Sequence, residues 1–405
     1  MSTEKVQKMP KFIRIYPKAL FFPHASYTKV QFCTSDEDKV TVSAEPFVAT
    51  VVSSEVHTHE WKYDYSYDSA TKLCKTVASC VCGESDTITH TRGNIKPNMT
   101  LASSLGLQYT IRDASLTNGT FSDVHAVFTK EAINDDGATL RVDMTPGEYS
   151  ATDWIPFEFD GILASQMMNK VAMRCFGTNE KGQVVMLSDF SFSVGEYISY
   201  CLGLSANQSN KKMLTLLADL ANYGTISQQY FSYNLDNLPN NYGNTPKYAS
   251  YVTDPQPTDF NKIQAKSGDY DLRWKATVDL GNVIATTVKY RFAKSADETN
   301  FKADMYAVIK YTDSTGAEQS IRFDNDAISS EVNGGYTWYS VHFDKLFSYM
   351  LNDKFTVEVY SGETKLCACD LNMEACLSMN NNTSTAAVIS ATLAYGRSAY
   401  NFFNN

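Results

Sequence analysis

Two stretches of the sequence repeat the same order of segments, and this internal duplication constrains the fold more than any single motif. In each stretch, four segments with strand-like alternation follow one another in the same order. The segments of the first stretch are 101–111, 125–129, 140–143 and 154–160, and those of the second are 280–290, 305–311, 321–324 and 338–344. The matching order predicts two copies of one β-rich module.

Each copy then changes from a strand period to a helical period. Apolar positions recur at i, i+3, i+4 and i+7 in the first copy, at Met213, Leu216, Leu217 and Leu220. In the second copy Val388, Ala391, Thr392 and Tyr395 have the same spacing. Each predicted long helix carries a Tyr-Gly pair at the same place, as Tyr223-Gly224 and Tyr395-Gly396. A helical glycine costs about 1 kcal/mol relative to alanine, so its recurrence indicates close packing of the helix against the sheet.

The duplication divides the chain into four regions. Residues 1–95 are predicted to form an N-terminal β region with a Cys/His segment, and residues 96–231 and 258–405 are the two copies. Residues 232–257 hold prolines among many Asn and Tyr residues, which is typical of an irregular, semi-stiff linker. We therefore expect a mainly β fold of tandem immunoglobulin-like β-sandwich modules, each followed by a short helical hairpin.

Charge and hydropathy exclude several classes of function. The chain has 35 Lys and Arg against 45 Asp and Glu, a net charge of −10, so it lacks the cationic field that nucleic-acid binding requires. The longest apolar run near the N-terminus is 19–22, and no stretch approaches 18 apolar residues. We expect neither a signal peptide in the chain as given nor a membrane span.

The ending of the first predicted long helix resembles a known sequence pattern. The run 220–231, Leu-Ala-Asn-Tyr-Gly-Thr-Ile-Ser-Gln-Gln-Tyr-Phe, and the entry 193–197, Ser-Val-Gly-Glu-Tyr, resemble a β-module-plus-helix unit of modular surface proteins of gut Firmicutes. The second copy departs from this pattern, because 371–375 lacks the entry Tyr and Arg397-Ser-Ala-Tyr400 replaces the Gln turn. The resemblance implies an interaction or scaffolding role and carries no catalytic residues with it.

A Cys/His segment of the N-terminal region is the strongest candidate for a metal site. Three thiols and one imidazole, from Cys74, Cys80, Cys82 and His59, could form a tetrahedral zinc site. The Cys80-x-Cys82 spacing differs from the usual Cys-x₂-Cys, so a metal-free β hairpin with ordinary thiols is the alternative. The segment 57–90 also resembles a short repeat of the same surface proteins. Nine cysteines, an odd number, do not imply a disulfide framework, and apart from structural zinc we expect no cofactor.

Nothing in the sequence matches an established catalytic motif. It contains no phosphate-binding loop, no His-Glu-x-x-His and no Gly-x-Ser-x-Gly. His125 and His342 lie in alternating segments, and the pairs Asp324/Asp326 and Asp135/Asp136 lie beside turns, where Asp is favoured for backbone capping. We expect no enzymatic activity and no catalytic residues.

Aromatic residues alternate with polar ones in two runs, 61–67 and 335–339. On a strand such residues line one face, as either a core ladder or a face that binds glycan or protein. We expect a structural or adhesive protein of an extracellular assembly, specifically a phage virion component such as a decoration, fibre or adsorption protein, located in the virion or at an extracellular surface. The alternative is a secreted or cell-surface protein of a gut Firmicute that binds glycan or a protein partner. Expected partners are other proteins of the assembly, including further copies of the chain, and surface glycan.

Overall fold

A computed structural model describes residues 33–36, 39–42, 59–101, 104–130, 139–145, 147–254, 264–266, 270–279, 284–380 and 382–404. These residues are mainly β, in several antiparallel sheets. The chain divides into two units, Met1–Glu60 and Trp61–Asn405. In the first unit β1 (Cys33–Asp36) pairs with β2 (Lys39–Val42) as an antiparallel hairpin. Residues 1–32, 37–38 and 43–58 of the predicted N-terminal β region lie outside the described residues.

The second unit begins with a three-stranded antiparallel meander. Its strands are β3 (Trp61–Asp68), β4 (Leu73–Cys80) and β5 (Ser85–Thr91), with β4 in the centre. In β3 half-buried and exposed residues alternate, as the sequence pattern predicts for a strand with one covered face. The Asp68 carboxylate accepts from Ala70 N (2.9 Å) and Thr71 Oγ1 (2.7 Å), which closes the β3–β4 turn.

Residues 94–231, the first half, contain two sheets and a helix pair. The strands are β6 (Asn94–Leu101), β7 (Leu105–Arg112), β8 (Ser122–Lys130), β9 (Thr139–Asp143), β10 (Ile155–Ile162), β11 (Val171–Thr178) and β12 (Val184–Phe192). One sheet has the order β10-β7-β6 and the other β12-β11-β8-β9, all antiparallel. The Tyr109 hydroxyl of β7 donates to the carbonyl of Val171 in β11 at 2.7 Å, so the two sheets enclose a common core.

Two helices follow β12. Helix α1 (Val194–Gly203) begins at a capping box in which Ser193 Oγ accepts from Glu196 N and Glu196 Oε2 accepts from Ser193 N. Helix α2 (Lys211–Phe231) begins at Asn210, whose side chain accepts from Met213 N, and ends where Ser232 adopts a left-handed conformation. The predicted helical spacing is confirmed in α2, where Leu216, Leu217 and Leu220 are buried.

The Pro/Asn-rich segment after α2 folds back onto the helix pair. We call residues 233–254 the strap; it contains 3₁₀ turns at Pro239–Asn241 and Thr245–Tyr251. Asn240 N donates to Thr225 Oγ1 at 3.0 Å, and Thr253 N donates to the buried Asp219 carboxylate at 2.7 Å. The strap is thus bound along α2 and does not act as a free spacer in its described part.

Residues 264–403, the second half, also contain two sheets and a C-terminal helix pair, together with a short helix between strands. The strands are β13 (Gln264–Lys266), β14 (Leu272–Val278), β15 (Thr286–Phe292), β16 (Met305–Thr312), β17 (Glu318–Phe323), β18 (Ser329–Asn333), β19 (Tyr336–Phe343), β20 (Phe355–Ser361) and β21 (Thr364–Leu371). The sheet orders are β14-β15-β19-β18 and β13-β21-β20-β16-β17. The helices are α3 (Ser295–Phe301), α4 (Met373–Met379) and α5 (Ala386–Phe403).

Both halves contribute to one hydrophobic core. Its largest fully buried side chains include Tyr109, Phe128 and Phe157 from the first half and Tyr290, Phe343 and Tyr395 from the second. Among the described residues, no helix is long and apolar enough to cross a membrane.

Candidate functional site

The structure separates two of the cysteines in the predicted metal segment. Cys80 ends β4 and Cys82 lies in the following turn, which Gly83 closes at φ +90° by donating its N–H to Cys80 O (3.0 Å). Cys74 lies six positions earlier on the same strand, which is about 20 Å away. A zinc ion holds its thiolates at about 2.3 Å, so Cys74 and Cys80 cannot bind the same ion. The four-ligand set is therefore not brought together.

Cys74 is instead a packing residue. Its side chain is fully buried in a small cluster with Phe176 and Met186, and burial raises the pKa of the Cys74 thiol to about 11. A protonated, buried thiol behaves as a small hydrophobe. His59 belongs to the first unit. Zinc binding by this segment stays a prediction, with the metal-free hairpin as its alternative.

A second group of potential ligands lies on β8 and β9 and was not anticipated as a group from the sequence. Ligand atoms of Asp123, His125 and Asp143 lie within 4.8 Å of one another. Arg141 occupies the centre of this group, with Nη2 2.6 Å from Asp123 Oδ1, Nε 2.7 Å from Asp143 Oδ1 and Nη1 3.1 Å from His125 Nε2. The guanidinium supplies the positive charge that a cation would bring, so the group is a closed ion-pair network.

His90 and Asp113 form a partly buried imidazole–carboxylate pair. His90 Nε2 lies 2.8 Å from Asp113 Oδ2, and the other carboxylate oxygen accepts from Ser115 Oγ (2.7 Å) and Ser115 N (3.0 Å). Burial opposes ionisation of Asp113, but bonds from His90 and Ser115 outweigh it and lower the pKa of that carboxyl. Because Ser115 donates to the carboxylate rather than to the imidazole, this is not the geometry of an activated nucleophile. The three residues fix a 3₁₀ turn at Ala114–Leu116.

Of the two carboxylate pairs considered from the sequence, Asp324/Asp326 lies in the described residues, and Asp324 bonds to residues close to it in the sequence. Asp324 Oδ1 accepts from Arg322 Nε at 2.7 Å, and its carbonyl accepts from Ala327 N in the turn that follows β17. Asp135 and Asp136 lie outside the described residues.

The first aromatic run, on β3, covers the edge of another sheet. Tyr63 Oη accepts from Val184 N (3.0 Å), and the Tyr65 hydroxyl donates to Val184 O (3.4 Å). Along the same edge, Thr76 Oγ1 accepts from Met186 N (3.0 Å) and Arg92 Nη1 donates to Asp189 O (2.9 Å). Side chains of the meander thus satisfy the outward backbone groups of edge strand β12, which protects them from pairing with another chain.

The second aromatic run, on β19, forms a cation–aromatic stack on the outside of its sheet. The Arg291 guanidinium lies 3.7 Å from the ring centroid of Tyr336 and 5.4 Å from that of Trp338, and Lys275 Nζ lies 4.2 Å from Trp338. Trp338 is only 7% exposed under these cations, whereas Tyr336 is 49% exposed. Tyr336 is therefore the accessible aromatic surface of this run.

The stack adjoins an exposed edge strand. Strand β18 pairs only with β19 among the described strands, and all five of its residues are exposed. Val332 is 78% exposed, and Glu331 is held by Lys289 at 2.8 Å. An exposed edge with an apolar side chain is a template for pairing with another polypeptide.

The recurring Tyr-Gly pairs lie where the two halves meet. The rings of Tyr223 on α2 and Tyr395 on α5 stack with centroids 5.5 Å apart and planes at 13°. Beside each tyrosine the glycine faces its own half, since a Cβ at Gly224 would lie 2.6 Å from Met167 Sδ and a Cβ at Gly396 would overlap Leu351 Cδ1. The recurring glycines therefore allow close packing, but the nearest atoms belong to 3₁₀ turns between strands and to the strap, not to the sheet that the sequence predicts.

Comparison with known proteins adds no family assignment. No family model matches the sequence, and no curated protein matches it.

Proposed function

We propose that this chain is a non-enzymatic structural or interaction protein of an extracellular assembly, specifically a phage virion component such as a decoration, fibre or adsorption protein. The observation that carries the interaction role is the exposed edge strand β18, with Val332 open to solvent beside the Tyr336–Arg291 stack. This edge contrasts with β12, whose outward backbone groups are bound by side chains. The edge of β12 is therefore protected, and the edge of β18 is available for contact.

The modules themselves are proposed to be immunoglobulin-like sandwiches that arose by duplication. In the first half, strands one, two and five of the series form one sheet and strands three, four, six and seven form the other. The same order holds in the second half when β14 is counted as the first strand and β13 and β18 as additions. In immunoglobulin-like sandwiches strands one, two and five likewise share one sheet and strands three, six and seven the other, whereas the fourth strand lies beside the third here and in the opposite sheet of a constant-type domain. This correspondence supports both parts of the proposal.

The occupant proposed for the β18 edge is a second copy of the chain. Two identical antiparallel edges can pair about a twofold axis, which presents the same surface from both copies. Native mass measurement over a range of concentrations tests this step. We expect dimers or larger assemblies, and a protein that stays monomeric at every concentration and binds no virion component would contradict the proposal.

A matched pair of variants locates the contact. Val332→Lys adds a charge to the edge strand, and we expect it to weaken self-association about tenfold or more, because edge lysines oppose strand pairing. Val81→Lys is the control, since Val81 is equally exposed (78%) but lies in a turn. Equal association of the two variants would place the contact elsewhere.

The virion assignment has its own test. Purified particles of the phage that carries this open reading frame should contain the chain in fixed stoichiometry, and capsid or tail genes should flank it. Its absence from purified particles, together with an upstream in-frame signal peptide, would favour the alternative of a secreted or cell-surface protein of a gut Firmicute.

Glycan binding is the second candidate, and exposed Tyr336 on its guanidinium is the observation that favours it. On a glycan array, this candidate predicts binding that Tyr336→Ala abolishes. Trp338→Ala is less informative, because Trp338 lies beneath Lys275 and Arg291 and its removal would also disturb the sheet. If no glycan on the array binds, the protein–protein role is the proposal that remains.

A further inference from the structure

The two helix pairs correspond position by position, and this correspondence makes one difference between them informative. Placing Tyr223-Gly224 on Tyr395-Gly396 pairs Thr225 with Arg397 and Gln228 with Tyr400. A backbone hydrogen bond recurs at the matching place, from Gly195 N to Met167 O (2.9 Å) and from Glu374 N to Leu351 O (3.1 Å). The surfaces beside Gly224 and Gly396 are therefore counterparts.

In the first half this surface is covered by the strap. Pro239 is buried, and its Cγ lies 3.2 Å from the position that a Cβ would take at Gly224. Gln228 Nε2 donates to the carbonyls of Asn234 (2.9 Å) and Asn237 (3.1 Å), and Thr225 accepts from Asn240 N. Side chains of α2 thus bind the backbone on both sides of Pro239, and the proline covers the helix at Gly224.

In the second half the corresponding surface is an open crevice of about 210 Å³. It lies beside α5 and is lined by Tyr349, Leu351, Glu374, Gly396, Arg397 and Tyr400, among others. Glu374 is 3% exposed and accepts from Arg397 Nε at 3.2 Å, so the charged groups of the crevice are already paired with each other. Of its two aromatic residues, Tyr349 is half-buried and Tyr400 is 44% exposed, so Tyr400 offers the accessible aromatic surface.

We propose that this crevice binds a proline-containing peptide segment of another protein of the assembly, in the way that Pro239 covers Gly224. Aromatic walls beside a shallow groove suit proline, because its ring packs on aromatic faces and its fixed φ reduces the entropy that the segment loses on binding. Tyr349 and Tyr400 are the aromatic residues of the crevice, and Gly396 and Leu351 lie beside them in its lining. The proposal rests on the interaction role proposed above and names the chemistry of one partner.

A fluorescent peptide with the sequence of residues 233–245 is the probe, titrated against the full chain and followed by anisotropy. We expect saturable binding, weakened about fivefold or more when the peptide carries P239A. In the protein, Tyr400→Ala should weaken binding about tenfold, as removal of an interface aromatic commonly does. Tyr200→Ala is the control, because Tyr200 is 55% exposed on α1, away from the crevice, and it should leave the affinity unchanged within about twofold.

Two results would overturn the proposal. One is the lack of saturable binding at about 1 mM peptide, a weak limit for specific recognition. The other is binding that Tyr400→Ala leaves unchanged, which would mean that the probe exchanges with the strap at α2 or binds elsewhere. Neither result tests the proposed contact at β18, because the Val332→Lys experiment measures self-association and Val332 does not line the crevice.

Discussion

At the scale of single residues, Glu358 shows how a buried carboxylate on a β-strand stays ionised. It lies on β20, 5% exposed, with Lys310 Nζ at 2.8 Å and the Tyr360 hydroxyl donating at 2.7 Å, and Lys365 Nζ also binds its carboxylate. Burial opposes ionisation, but the two ammonium groups and the hydroxyl outweigh it and lower the pKa of Glu358 to about 2. The carboxylate therefore stabilises the fold in its ionised form.

This pKa makes a prediction with a defined sign. Glu358→Gln should lower the free energy of unfolding by about 1–2 kcal/mol at pH 7, because the charge-assisted bonds are lost. A lowered folded pKa gives stability that is present above the unfolded value, near 4.5, and is lost as pH falls toward about 2. The free energies of unfolding of the wild type and of Glu358→Gln, measured in urea, should thus approach each other as the pH falls from near 4.5 toward about 2.

The control for this prediction is an ion pair of similar geometry but higher exposure. Asp324→Asn breaks the pair with Arg322, in which both side chains are more than half exposed, and should cost well under about 1 kcal/mol. A Glu358→Gln effect that is no larger, or that does not change with pH, would show that Glu358 contributes little as a charge.

The sequence does not reveal pairs of this kind. Alternation places Val357 and Val359 toward the core and Glu358 on the opposite face, which predicts an exposed carboxylate. Its burial arises because β16 and β21 bring Lys310 and Lys365 across it, and strand neighbours are set by topology. The group around Arg141 was not predicted for the same reason, because its members lie on two strands, β8 and β9.

At the scale of elements, Gly396 is a position where backbone packing requires the smallest side chain. A Cβ there would overlap Leu351 Cδ1 and lie 3.2 Å from Ser348 O, so α5 would have to move away from the 3₁₀ turn at Ser348–Met350. We expect Gly396→Ala to destabilise the protein by about 1–3 kcal/mol despite its better helix propensity. Chemical denaturation measures this directly.

A double substitution separates crowding from other causes. In Gly396→Ala/Leu351→Ala the obstructing methyl group is absent, so the combined loss should be smaller than the sum of the two single losses. Strict additivity would mean that the glycine serves another purpose. Gain of stability in Gly396→Ala alone, as propensity predicts, would refute the close-packing interpretation.

A second element-scale prediction concerns the anchor of the strap. Asp219 is fully buried in α2 and accepts from Thr253 N (2.7 Å) and Thr253 Oγ1 (3.0 Å). Asp219→Ala leaves these donors without their acceptor and should cost about 1–3 kcal/mol, while Asp219→Asn, which keeps one acceptor oxygen, should cost less. Limited proteolysis should then cut within 233–254 faster in Asp219→Ala, and an unchanged cleavage rate would contradict the anchoring role.

Elements with strong periodicity were predictable, and those defined by partners were not. The spacing of Leu216, Leu217 and Leu220 predicted α2, and the alternating segments of both predicted copies overlap strands in the described residues. Strands β13 and β18 are short and carry no apolar alternation, so only their pairing with β21 and β19 defines them. Likewise, proline and asparagine predicted an irregular segment at 232–257, but not its binding along α2.

At the scale of the whole molecule, the stacked tyrosines suggest that the two halves stabilise each other. Tyr223 and Tyr395 are both at most 3% exposed, and their rings lie face to face between α2 and α5. Because each half buries part of its surface against the other, we expect residues 61–405 to unfold in one cooperative transition. Fluorescence and circular dichroism should give coincident denaturation midpoints.

A double-mutant cycle on the tyrosine pair measures how strongly the halves are coupled. Tyr223→Ala and Tyr395→Ala should each cost about 3–5 kcal/mol, as for other buried aromatics, and a stacked pair contributes about 0.5–1.5 kcal/mol beyond area burial. The double variant should therefore lose less than the sum of the single losses by about that amount. Additive losses with a single transition would mean instead that the shared core, rather than the α2–α5 contact, holds the halves together.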